Sequence, residues 1–538
     1  MWGKGGSDTD FSFNLINDNW IPCVKKNTER QELSIKDVLL NAKDIIEIEH
    51  TSPVISGSIH RLLISILQRV LPLESISDLE RLWDRGSWPT NEIVEYLDKW
   101  ESRFDIFDEE RPFFQAPGFK EGTPTTISKL GLELSAGNNT ILFDHRFDDE
   151  AEPMQPACVA RLLVTCQYFA VGGGKSSTAY TRSAPLVGKA QVLLRGKNLF
   201  DTLSLNLIPY DPKYPMRFTD SESNGSASID IPNWERDEPE TPGGIRYLTG
   251  YLDYLSWQSR TIRLLPEKTD EGVSVSKMYF SQGVQIEDEG IFEPMAAYRK
   301  HEKYGMLPIK ISIEKEPWRS LSSFMHIGSE GNRPPKAVDT VTQLVNREVL
   351  NRVSRYEADV IGISNDKAKV LLWRHARMPF PATYLENPDL VRRIEDAIHF
   401  AENVERSVLS TSVWQIANEF LSSKSDGKPP KDAVRQLIGS YDVERSFWAG
   451  MESEFYRLVD FMAEALIEGG FEKVDEEMMK WGIFVSRAAK RCFEKLATDV
   501  SIDVRGMKAS VKARSSFYRK LDKEFDKLEG KYEIGKNV

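Results

Sequence analysis

A chain of 538 residues is too long for one ordinary core, so two or more domains are expected. Hydrophobic residues at 40% and aromatics at 10% support packed cores and exclude a disordered polymer. The net charge of −12 excludes a general DNA coat, because free nucleic acid is repelled at long range, but it leaves room for local basic patches. No apolar run is long enough to span a bilayer, and the first thirteen residues hold no apolar signal region. A cytoplasmic protein with no membrane partner is the expectation.

From Phe11 to about Arg377 the pattern is mixed. Phe11-Ser12-Phe13-Asn14-Leu15-Ile16 reads as a strand, closed by Asn17-Asp18-Asn19. A helix is predicted over residues 58–70, with Ile59, Leu62, Leu63 and Leu67 on one side, and another over 156–170. Further strands are predicted at 190–194 and 309–313. Residues 211–244 form a long polar connection, of the kind that is usually functional or mobile.

After Pro379-Phe380-Pro381 the texture becomes helical. Val391, Ile394, Ile398, Ala401 and Val404 recur at spacings of three and four. Trp448, Met451, Phe455, Leu458, Met462 and Leu466 form a stronger stripe. A third helix is predicted over 476–498, and a fourth carries Val511, Tyr518, Leu521, Phe525 and Leu528. Ser422 to Pro430, with Gly427 and two prolines, separates the first two. The expected architecture is α+β: a large mixed α/β domain over 1–380, then a four-helix bundle over 381–538.

Two segments stand out chemically. Gly172-Gly173-Gly174-Lys175 first suggests a phosphate loop, but that motif needs a glycine where Phe169 stands, and it follows a strand rather than a helix. A glycine cap on the preceding helix is the plain alternative, and one glycine would satisfy it. Three in a row let backbone approach a ligand without side chains in the way, and Lys175 adds a point charge for phosphate. The second segment is 480–520, with eleven Lys or Arg against three acids. Arg487, Lys490, Arg491 and Lys495 fall at helical spacing, and Lys508, Lys512 and Arg519 continue the pattern. A solvated face explains such a stripe in most helices, but here it opposes the sign of the whole chain, as a nucleic-acid backbone contact requires.

Catalytic constellations are missing. The seven histidines form no HExxH or HxH pattern, and there is no GxSxG elbow. Cys23, Cys158, Cys166 and Cys492 are scattered, with no zinc-ligand spacing, so no metal and no cofactor are predicted. The expected protein is not an enzyme. A nuclease assembled from distant residues is an alternative that no motif supports.

Three segments in order carry a family resemblance: Phe13-Asn14-Leu15-Ile16-Asn17-Asp18-Asn19-Trp20-Ile21-Pro22, then the stretch from Trp100-Glu101-Ser102-Arg103-Phe104 to Arg111-Pro112-Phe113-Phe114-Gln115, then the glycine run followed by Val192-Leu193-Leu194-Arg195-Gly196. Ahead of a helical carboxy-terminal region, they resemble the large subunit (CasA) of the type I-E CRISPR Cascade complex, over nearly the whole chain. The resemblance implies a non-catalytic subunit of an RNA-guided complex. Such a subunit recognises the protospacer-adjacent motif in duplex DNA, largely from the minor groove, helps open the duplex and recruits a helicase-nuclease. The implied partners are double-stranded target DNA, the CRISPR RNA 5′ handle, other Cascade subunits and the helicase-nuclease.

Carried over by position, the family's glycine loop falls on Gly172, Gly173 and Gly174. Its wedge hairpin falls on Gly362-Ile363-Ser364-Asn365-Asp366-Lys367-Ala368, with Lys367 where well-studied members place a glutamine. Asn365-Asp366 alone would read as a turn. The family's lysine finger falls within Ser281-Gln282-Gly283-Val284, where Gln282 is the replacement. The loop that nears the RNA handle and target falls on Leu142-Phe143-Asp144-His145-Arg146, and Phe143 is placed either to stack on a base or to end a strand in the core. An interaction scaffold without direct DNA contact is the alternative function, favoured by the acidic balance.

Overall fold

The computed structural model describes residues 11–132, 152–174, 179–210, 230–270, 272–287, 292–325, 331–422 and 429–532. The chain forms two compact units, Met1–Asn351 with Tyr356–Met378, and Arg352–Arg355 with Pro379–Val538. The expected loop residues Phe143, Asp144 and His145, and also Lys175, lie outside the described residues.

The first unit is built around helix Pro53–Val70. Proline at its first turn wastes no donor. Leu62, Leu63, Ile64, Ile66 and Leu67 are all fully buried, so this helix is wrapped on every side rather than on one stripe. Truncating any one of these to alanine is expected to cost about 2–5 kcal/mol. Helix Pro156–Phe169 packs against it. Arg61, which is unexposed, pairs with the equally buried Glu293 at 2.8 Å and lies against the rings of Tyr168 and Tyr254.

Small sheets surround this helical centre. Strands Arg30–Leu33, Ile21–Lys25 and Ile45–Ile48 make one antiparallel sheet. Arg260–Thr269 and Gly272–Gln282 form a long hairpin, register Arg260 to Gln282. A third sheet runs in the order Lys369–Pro381, Arg355–Asp366, Gln191–Arg195.

Two strand expectations are corrected. Residues 11–16 are not a strand: only Asn14 bridges to Asp105, and residues 15–17 turn. The Asp105 carboxylate accepts from the Phe13 N–H, and Leu15 donates to the Phe104 carbonyl at 2.9 Å. The two quoted motifs thus pair with each other across the fold, with Trp20, Phe104 and Phe113 buried beneath. Residues 309–313 are also irregular. The strand is Gly305–Pro308, paired with Tyr298–His301, and it ends at a proline that has no N–H for the ladder.

Among the described residues of the second unit are four helical rods: residues 388–421, 451–468, 471–500 and Val504–Tyr532. The first rod continues past Asn403 through a π-helical stretch, Val404–Leu409, into Ser410–Leu421. Two short helices, Lys431–Tyr441 and Val443–Trp448, then intervene, so Trp448 closes a short helix instead of opening a long one. The second and third rods form one span, broken where Gly469 (φ −155°) and Gly470 (φ 70°) leave helical geometry. Phe493 and Phe517 stack with centroids 4.1 Å apart, and the Trp481 N–H donates to the Ala397 carbonyl at 2.9 Å.

Candidate nucleic-acid interface

The glycine run does not cap the preceding helix. Helix Pro156–Phe169 ends on Ala170 in an extended conformation. Just past its end, the Ala170 and Val171 carbonyls accept from a buried guanidinium, Arg260, at 2.9 and 3.0 Å. Burial pulls the Arg260 guanidinium down to about 10, which leaves it charged at neutral pH.

Beyond that point the chain makes a pinned turn. Gly173 donates to Thr181 at 2.9 Å, and Thr181 donates back to Gly174 at 3.0 Å. The Gly172 N–H reaches the Ser183 hydroxyl. A Cβ on Gly172 would stand 2.6 Å from the Ser183 nitrogen, a distance that no side chain tolerates. Gly173 has φ +142° and Gly174 φ +74°, both in the region that L side chains avoid.

Gln282 stands behind this turn. It is 1% exposed, its Oε1 accepts from the Arg182 N–H at 2.7 Å, and its Nε2 donates to the Ser259 and Gly283 carbonyls. Expected as a side chain that meets DNA, Gln282 is instead a buried brace. Nothing in the residue type alone separates these two roles.

The hairpin of residues 355–381 brings its tip to the same place. Asp366 ends one strand and Lys369 begins the other, leaving Lys367 and Ala368 as a two-residue turn. Lys367 has φ 51°, a left-handed conformation that costs a non-glycine residue roughly 1–2 kcal/mol. The Asn365 side-chain amide helps hold it by donating to the Lys367 carbonyl at 2.8 Å. A Cβ built on Gly173 would stand 2.8 Å from the Cβ of Ala368. Glycine turn and hairpin tip, distant in sequence, therefore touch. Asp366 and Lys367 are exposed beside this contact.

The base of the hairpin is clamped by charge. Asp359, 5% exposed, accepts from Arg195 at 2.9 Å, His375 at 2.7 Å and Arg377 at 2.9 Å. Glu47 accepts from the same two arginines at 2.7 and 2.8 Å. Burial alone would raise the Asp359 carboxyl, but the His375 hydrogen bond and the two guanidinium charges hold it well below the usual range. Sequence reasoning missed this network. Its signal was the alternation of Glu357 with Asp359 and of His375 with Arg377, which puts each pair on one strand face.

In the second unit, Arg487, Arg491 and Lys495 are exposed at successive four-residue steps of the third rod, and none has an ion-pair partner among the described residues. Lys490 is half-buried, its ammonium 5.7 Å from the centre of the Tyr518 ring. Elsewhere in residues 480–520 the positive charge is partly neutralised, because Lys480 pairs with Glu477, Lys512 with Glu419 and Arg514 with Glu494. Arg491 and Lys495 also border a cavity of about 410 Å³ floored by Phe447, Met451, Phe484 and Leu496. Among the described residues, no three His, Cys, Asp or Glu side chains group as metal ligands, and no helix is long and apolar enough to cross a membrane.

Comparison with known proteins identifies the family and the fold. A family model described as CRISPR-associated protein Cse1 matches residues 14–492. The CRISPR-associated protein CasA/Cse1 of Thermus thermophilus is 29% identical over 524 residues, 95% of this chain and 97% of that protein. A solved structure of Thermus thermophilus CasA (Cse1) matches with TM-score 0.79 at 26% identity, covering 95% of this chain and 99% of the other. A chain of a solved CRISPR RNA-guided surveillance complex shares the fold, with TM-score 0.75 at 19% identity over 94% and 99% of the two chains.

Proposed function

Since this chain belongs to the Cse1 (CasA) family of CRISPR-associated proteins, we propose that it is the non-catalytic large subunit of an RNA-guided type I-E complex that recognises the protospacer-adjacent motif in duplex DNA. The contact between Gly173 and Ala368 carries this reading. Bare glycine backbone can reach the floor of a minor groove, where a side chain would collide, and an adjoining hairpin tip can act as a wedge in the base stack. Lys367 supplies a cation to phosphate where an amide would supply hydrogen bonds. Guide pairing then reads the remaining sequence, so the protein needs only a short motif and a way to open the duplex. The exposed Arg487, Arg491 and Lys495, with Lys490, track the DNA backbone without reading it. Recruitment of the helicase-nuclease, contact with the RNA 5′ handle through the segment holding Phe143, Asp144 and His145, and cytoplasmic residence complete the proposal.

The test is reconstitution of the complex with and without this chain, followed by gel shifts on duplexes that carry or lack the motif. Motif-dependent binding only in the presence of the chain is the expected result. Equal binding to both duplexes would reject it. The net charge of −12 favours a second reading, a scaffold without DNA contact; crosslinking from position 367 to a bound duplex decides between them.

A further inference from the structure

Strand Lys369–Pro381 is the edge of its sheet, paired only with Arg355–Asp366 among the described residues. Its outward positions near the tip are Lys369, Leu371 and Trp373, all exposed, with Leu371 at 46% and Trp373 at 39%. The same face turns polar at His375 and Arg377, where the clamp begins. Two large apolar side chains on an open sheet edge invite aggregation, and folded proteins usually place charges there. Neither Lys367 nor Lys369 has an ion-pair partner among the described residues, and the Trp373 indole N–H has no hydrogen-bond acceptor among them. Trp373 stands four residues from Lys369, the first strand residue after the turn, roughly 13 Å along an extended strand.

We propose that Lys369, Leu371 and Trp373 form a landing face for unpaired nucleotides released at the hairpin tip, in which the indole stacks on a base and the lysine meets the phosphate. This rests on the reading of the tip as the point where the duplex opens. Stacking needs only the π-face of a base, so the site accepts any sequence, as the strand next to a short motif requires. A paired base offers no such face. The proposed ligand is therefore single-stranded DNA, not the intact duplex.

The experiment uses the reconstituted complex and two DNAs: a closed motif-bearing duplex, and the same duplex with a pre-opened bubble carrying 2-aminopurine beside the motif. On the bubble, Trp373→Ala is expected to abolish quenching at one or two 2-aminopurine positions and to weaken binding roughly tenfold, whereas Trp373→Phe retains most of both. Gly173→Leu on the closed duplex is the parallel arm that tests the underlying reading. If Gly173→Leu abolishes motif binding but Trp373→Ala quenches like the parent, only the landing face is overturned. If Gly173→Leu leaves motif binding intact, the underlying reading falls, and the bubble signal alone decides whether the face binds single strands. If both Trp373 variants lose the subunit from the assembled complex while bubble quenching persists, the stripe is a protein contact and the inference is overturned.

Discussion

Under the proposed function, the glycine turn and the basic stripe of the helical unit would be opposite ways of meeting a polyanion. At the turn, backbone positions are fixed by Arg260, Gln282 and Thr181, and an added methyl at Gly173 collides with Ala368. On the stripe, long flexible side chains stand free on a helix surface, and Arg487, Arg491 and Lys495 have no ion-pair partner among the described residues. The first depends on shape and should be nearly indifferent to salt. The second depends on charge and should tolerate Arg–Lys exchange while fading as salt rises.

The sharpest way to break this contrast is Gly173→Leu. It forces a branched side chain into a left-handed position facing Ala368, and motif-dependent duplex affinity should fall at least about 100-fold, near 2.7 kcal/mol, with assembly of the complex retained by size-exclusion chromatography. A salt series with Arg487, Lys490 and Arg491 all changed to glutamate tests the other side. The slope of log affinity against log salt should become shallower by up to about 2.7, or about 0.9 per lost phosphate contact. An unaltered slope would return the stripe to ordinary solvated surface.

Two buried groups of the first unit respond to acid in opposite directions. Burial pulls His60 down to about 4, so the unfolded chain takes up that proton first and stability is lost as pH falls below about 6.5. Asp230 works in the opposite sense: burial pushes its carboxyl up to about 6, so acidification through that range stabilises the fold. Between pH 7 and 5 these two contributions oppose each other, so Asp230→Asn should lose about 1.4 kcal/mol more than the parent over that interval. Urea melts of the full chain at the two pH values measure the difference. The smallest effect is expected from Gln282→Ala. It leaves the Arg182 N–H without its acceptor behind the turn, for about 1–2 kcal/mol of stability and a several-fold loss of motif affinity, with the salt slope unchanged.

These two regions also differed in how readily they could be read from residues. The stripe was legible because helical spacing is periodic and charge is visible in composition. So were the helices over 58–70 and 156–170, whose apolar patterns leave little choice. The glycine run was visible as an oddity, but its partner was not: contact with Ala368 depends on long-range packing that no local pattern encodes. Gln282 shows the same limit, because a glutamine that braces buried carbonyls and one that faces a groove have the same letter. The motif around Asn14 misled in another way. Its alternating apolar residues suggested a strand, and the side chains of Asn14 and Asp105 instead take the local backbone donors for a turn.

The charge clamp at Asp359 has a mechanical consequence. From Asp359 to Asp366 the hairpin runs seven residues, about 23 Å, so it behaves as a beam fixed at one end and resting at the other on the glycine turn. Anything that slides between turn and tip removes the far support and leaves the load on the root, where Asp359 and Glu47 share the Arg195 and Arg377 guanidiniums. The stiffness with which the tip pushes back is then set at its root, away from the proposed contact.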